Sequence, residues 1–109
     1  MLSHNYNGIQ GRTFCFTGGL ELCTRDEIER KVKDWGGTAV RNMSRKVNVL
    51  VVARNIHRRL GEPEKTYKQT RAEQLNEKGM GIEIISEFDF YGLVHKAEYY
   101  EDERQRGLL

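Results

Sequence analysis

The sequence predicts one α/β domain, a parallel sheet with helices packed on both faces. Three observations carry that prediction. Short apolar runs recur along the chain, and the middle one, Val49-Leu50-Val51-Val52, is apolar at successive positions, as suits a strand covered on both sides. Between the runs lie helical stretches that each open on a hydroxyl cap. Glycines then stop the first two helices before the next run begins.

Taken in order, the first strand is expected at residues 13–17, around Phe14-Cys15-Phe16. The first helix follows Thr24, with Glu27 at the capping-box spacing, and Ile28, Val32 and Trp35 form one apolar stripe at i, i+4 and i+7. Gly36-Gly37 ends it, where a left-handed residue is easily tolerated. A weaker strand is expected at 38–41 and a buried one at 47–52. Residues 53–65, holding the only proline, Pro63, read as a long exposed loop. Thr66 with Gln69 opens the second helix, Ala72 and Leu75 mark its buried side, and Gly79 closes it. The last strand is expected at 82–85. Ser86 with Asp89 then opens a third helix whose apolar side is Phe90, Leu93, Val94 and Ala97. Residues 1–10 form an N-terminal extension, 11–97 the domain, and 98–109 a charged C-terminal tail. Residues 1–10 and 99–109 are expected to be loosely ordered.

Composition excludes several classes. A chain of 109 residues suits one core, and 31% charged beside 38% hydrophobic residues is ordinary for a soluble protein. No apolar run approaches the roughly 18 residues of a membrane span, and the polar first ten residues hold no signal-peptide core. An intracellular protein is expected, in the cytoplasm or nucleoid of a bacterium or the nucleus of a eukaryote, with no membrane partner. Two cysteines, Cys15 and Cys23, are too few for a disulfide framework, and His4, His57 and His95 stand singly, so neither metal nor cofactor is expected. Phosphate-loop, dinucleotide, nucleophile-elbow and zinc-protease motifs are all missing, so no catalysis is expected.

The charge distribution is uneven. Residues 38–73 carry nine cations against three acids, whereas 74–109 carry four against eight. A basic centre suggests a polyanionic partner. Within it, one set of residues is unusual. Thr17-Gly18-Gly19 follows the first strand, Arg25 opens the first helix, and Lys68 lies in the first turn of the second. Cations are disfavoured there by the helix dipole, at a cost of about 0.3–1 kcal/mol each. An anion held between the two helix starts would explain both. In an open parallel sheet, ligands sit beyond the strand carboxyl ends where the winding reverses, which the loops after the first and third strands would flank. The competing explanation is that Arg25 and Lys68 are solvated and paired with acids such as Asp26 and Glu29.

The succession Gly11-Arg12-Thr13-Phe14-Cys15-Phe16-Thr17-Gly18, Thr24-Arg25-Asp26-Glu27-Ile28, Gly36-Gly37, Val49-Leu50-Val51-Val52, Lys68-(x3)-Ala72 and Ile84-Ile85-Ser86-Glu87-(x2)-Phe90 resembles a BRCT domain. It is most similar to the single BRCT domains of bacterial NAD-dependent DNA ligases and of the clamp-loader large subunit. The resemblance implies a four-stranded parallel sheet in order 2-1-3-4, with the first and third helices on one face and the second on the other. It also implies a non-catalytic module of DNA replication or repair that binds a DNA 5′-phosphate through Thr17, Gly18, Arg25 and Lys68. Arg41, Arg45, Lys46, Arg58 and Arg59 would then contact further backbone phosphates. Two alternatives stay open: a protein-interaction module, either reading a phosphopeptide through the same pocket or docking by an apolar patch, and an accessory domain of a larger ligase or exonuclease.

Overall fold

The computed structural model describes residues 8–53 and 65–107. Pro63, the loop expected at 53–65 apart from its two ends, and residues 1–7 therefore lie outside the described residues. The elements run β1 (Thr13–Thr17), α1 (Arg25–Asp34), β2 (Thr38–Val40), β3 (Val49–Val52), α2 (Tyr67–Glu77), β4 (Glu83–Ser86) and α3 (Glu87–Gln105). The four strands form one parallel sheet in order β2-β1-β3-β4, as the resemblance implied.

Both faces of the central strands are covered, which is why their sequences are apolar without alternation. Phe14, Phe16, Val49 and Val51 point to one side and pack with Ile28 and Val32 of α1 and Phe90 and Val94 of α3. Cys15 and Leu50 point to the other and meet Ala72 and Leu75 of α2. Ile9 is fully buried in the first cluster, so the expected loose N-terminal extension is anchored at that residue.

All three expected helix starts are present. Thr24, Thr66 and Ser86 are the N-caps, and Thr24–Glu27 and Ser86–Asp89 close complete capping boxes. At the end of α1, the Gly36 N–H donates to Lys33 O at 3.0 Å and the Gly37 N–H to Val32 O at 2.9 Å, a Schellman motif. Gly36 has φ +85°, which makes glycine the suitable residue there. The same pair of bonds, from Gly79 N to Asn76 O and from Met80 N to Leu75 O, ends α2.

Several boundaries differ from expectation: β2 stops at Val40 and β4 runs on to Ser86, and three further differences have local reasons. β3 begins at Val49 because Asn48 is occupied in bracing its neighbours: its side-chain oxygen accepts from the Thr13 N–H at 2.7 Å and its carbonyl from the Glu83 N–H at 2.9 Å. β4 begins at Glu83 because the Asn76 side-chain amide takes both backbone groups of Ile82. The third difference is larger. The tail expected to be loose continues α3 as far as Gln105. Glu and Arg are good helix formers, and the ion pairs Arg104–Glu101 and Arg106–Asp102 support the added turns without an apolar stripe.

Candidate functional site

β1 is central and ends at Thr17, with α1 starting after the next loop and α2 starting after β3. Parallel strands put all these segments at one end of the sheet, where the order reverses around β1. The structure brings Thr17, Gly18, Arg25 and Lys68 together there. Arg25 Nη1 donates to the Phe16 carbonyl at 3.0 Å, and Lys68 Nζ donates to the same oxygen at 3.1 Å. The two charges therefore stand no more than about 6 Å apart. Their mutual repulsion is on the order of 1 kcal/mol. One carbonyl dipole relieves part of it, and an anion would relieve all of it.

The two acids named in the competing explanation are engaged elsewhere. Asp26 and Glu29 both go to Arg41, at 3.0 and 2.9 Å. Those hydrogen bonds, with the Glu29 bond foremost, push the Arg41 guanidinium pKa up. Lys65 is likewise paired with Glu73 at 3.0 Å. Among the described residues, neither Arg25 nor Lys68 has a carboxylate partner. The first turn of α2 also contains no acid. Both cations are felt deep in the sheet: burial pushes the Cys15 thiol up, and the positive charges of Lys68 and then Arg25 oppose it.

Donors complete the arrangement. Gly18 has φ +89°, and a Cβ there would meet Ala53 O at 2.7 Å, so only glycine fits. Its N–H has no acceptor among the described residues. Thr17 is buried, at 5% exposure, and its hydroxyl donates to Thr66 Oγ1 at 2.8 Å. Thr66 Oγ1 also accepts the Gln69 N–H in its capping role. With both lone pairs used, the Thr66 hydroxyl keeps its own proton for an outside acceptor. In sequence Thr66 reads only as a helix cap.

A second residue the sequence did not single out for this site is Glu87. At 4% exposure it is a buried acid at the start of α3. Its carboxylate accepts the Glu21 N–H at 3.1 Å, the Leu22 N–H at 3.4 Å and the Tyr91 hydroxyl at 2.7 Å. Cys23 Sγ lies 3.2 Å from the Tyr91 oxygen. Burial, followed by these bonds to Cys23 and Glu87, pushes the Tyr91 phenol well above its usual pKa. Glu87 thereby fixes the loop between Gly18 and Arg25. In sequence it is one more acid in a first helical turn, where acids are ordinary.

The remaining expected residues lie elsewhere. Arg41, held by its two acids, lines a separate surface depression of about 370 Å³ with Asp26, Glu29, Arg30 and Lys33. Arg45 and Lys46 are exposed but lie just before Asn48, which is bonded to Thr13 at the opposite end of β1. Arg58 and Arg59 fall outside the described residues. No cluster of His, Cys, Asp and Glu that could hold a metal occurs among the described residues.

Comparison with known proteins agrees with this architecture. The model of the BRCA1 C Terminus (BRCT) domain matches residues 7–94. A DNA ligase of Citrifermentans bemidjiense is 34% identical over 84 residues, covering 77% of this chain and 10% of the ligase. A DNA ligase of Fervidobacterium nodosum is 29% identical over 90 residues, covering 83% and 11%. A DNA ligase of Coxiella burnetii is 31% identical over 86 residues, covering 79% and 11%. The chain thus spans about a tenth of the length of the curated relatives it matches.

Proposed function

Since this chain belongs to the BRCT family, we propose that it is a non-catalytic module of DNA replication or repair that grips a DNA 5′-phosphate. The observation that carries the proposal is the convergence of Arg25 and Lys68 on one carbonyl, with neither paired to a carboxylate among the described residues. A terminal phosphate placed there would receive charge-assisted bonds from both side chains. The Gly18 N–H and the Thr17–Thr66 hydroxyl pair would donate to its remaining oxygens. Positive ends of two helices add to the attraction. Nothing in this arrangement reads a base, so the pocket by itself is expected to be indifferent to sequence.

In this reading, the module positions whatever polypeptide carries it at a DNA end, and the similarity to segments of DNA ligases supports such an accessory role. Arg41 is given no phosphate, because its charge is already matched by two carboxylates.

The test is fluorescence anisotropy with labelled duplexes that differ only in a recessed 5′-phosphate, at low and moderate salt. The phosphorylated duplex is expected to bind more tightly, with an affinity that falls steeply as salt rises. Lys68→Ala is expected to remove the phosphate-dependent gain, weakening binding about tenfold or more, since bonds to charged groups contribute about 1.5–3 kcal/mol. Equal binding of both duplexes, unchanged in Lys68→Ala, would remove DNA ends from consideration. A phosphoserine peptide that bound through Lys68 would then assign the same pocket to a protein ligand.

A further inference from the structure

Among the described residues, five large apolar or aromatic side chains are exposed: Leu22, Tyr67, Met80, Phe88 and Tyr99. Three of these, Leu22, Tyr67 and Phe88, belong to the loop after β1 or to the first turns of α2 and α3. All three therefore lie at the end of the sheet that holds the pocket. Tyr67 is the most exposed, at 82%. Its side chain makes no hydrogen bond, ring contact or ion pair among the described residues. Among the described residues, packing gives no reason for a large ring at this position.

Its neighbours give one. Tyr67 opens α2 between Thr66, which is bonded to Thr17, and Lys68, which reaches the Phe16 carbonyl. Tyr67 therefore lies at the end of the sheet where Thr66 and Lys68 make those bonds. A 5′-phosphate is joined through one sugar to a flat, aromatic base. We propose that Tyr67 is a stacking platform for the nucleobase of the 5′-terminal nucleotide whose phosphate Arg25 and Lys68 hold. This deepens the proposed function and rests on it. Aromatic rings beside unpaired cations suit single-stranded or frayed nucleic-acid ends, because every base presents a π-face and the cations meet its backbone. A phosphopeptide would offer the same anion but no obligatory ring. The observations therefore favour the nucleotide. The platform would add affinity at the terminus while tolerating any base.

The experiment uses a 5′-phosphorylated duplex whose 5′-terminal base is 2-aminopurine, with a distant label for anisotropy, and the proteins wild type, Tyr67→Ala, Tyr67→Phe, Lys68→Ala and Tyr99→Ala. Wild-type protein is expected to change the 2-aminopurine emission on binding. Tyr67→Ala is expected to abolish that change and to weaken binding roughly 5- to 150-fold, the range for a lost stacked base. Tyr67→Phe keeps the ring face and is expected to retain both signals, and Tyr99→Ala, on the far part of α3, to behave as wild type. An abasic 5′-terminal position is expected to weaken wild type but to add nothing to Tyr67→Ala. The stacking assignment is overturned if the Lys68-dependent phosphate gain persists while Tyr67→Ala binds like wild type with an unchanged emission response. If the phosphate gain itself is missing in wild type, the pocket reading falls and the stacking assignment falls with it. Because Tyr67 is solvent-exposed, its substitution leaves folding intact, which circular dichroism checks directly.

Discussion

Replacing Phe90 with alanine is expected to destabilise the domain by about 3–5 kcal/mol, the range for a fully buried phenylalanine. Phe90 has no exposed surface and sits where α3 meets the two central strands. Its ring meets Phe14 edge-on at 5.7 Å and 74°, and Phe16 at 5.2 Å and 88°. Removing it forfeits both edge-to-face pairs and leaves a hole facing rigid strands. Such strands cannot close around a void as a loop could. Total stability for a domain is about 5–15 kcal/mol, so the variant would approach the threshold of folding. Urea unfolding followed by circular dichroism measures it, and a loss under about 1.5 kcal/mol would contradict the packing described. Phe90→Leu, which keeps most of the volume, is expected to fall well short of the alanine loss.

Gly37→Val is expected to cost about 3 kcal/mol, near the upper end for overpacking. A Cβ at Gly37 would lie 2.8 Å from Val32 Cγ1, 2.9 Å from Ile9 Cγ2 and 2.9 Å from Ile9 O. Ile9 and Val32 are core residues at zero exposure, and the third contact is backbone. The chain on both sides is also tied, by the Gly37 N–H to Val32 O and by the Gly11 N–H to Gly36 O at 3.0 Å. Neither side can retreat without losing hydrogen bonds. Gly92 in α3 is the informative contrast. A Cβ there meets nothing within 4 Å, so Gly92→Ala is expected to stabilise the helix by about 0.5–1 kcal/mol. Both variants are read from the same urea curves, and equal effects would mean that the close approach at Gly37 does not limit stability.

What could be read from the sequence was local. Thr24, Thr66 and Ser86 each announced a helix within four residues, and Gly36 and Gly79 each announced an end. Arg25 and Lys68 were legible for a different reason: each breaks a local rule, and a cation at a helix start asks for an explanation. Phe16, the residue whose carbonyl they share, gives no such signal. Pairings across long separations were hidden as well. In sequence Arg41 reads as one more candidate for a backbone phosphate, because nothing in its neighbourhood reveals that α1 supplies two acids to it. Thr66 lies 49 residues from Thr17, and Glu87 66 residues from Glu21, so only folding shows their contact. The length of α3 was hidden in a different way, since a helix held by charged pairs has no apolar period to betray it.

The Glu87 carboxylate has a consequence for the order in which the protein is made. Its partners, Glu21 and Leu22, are made with β1 and Arg25, ahead of the other strands. Their clamp belongs to the last helix and is synthesised more than sixty residues later. A nascent chain carrying β1 to β3 and α2 would hold Thr17, Gly18, Arg25 and Lys68 while the loop that joins β1 to α1 still lacked its acceptor. The shape of that loop would therefore be fixed only after α3 had been made. A chain lacking α3 would carry Arg25 and Lys68 without the carboxylate that braces the loop between β1 and α1.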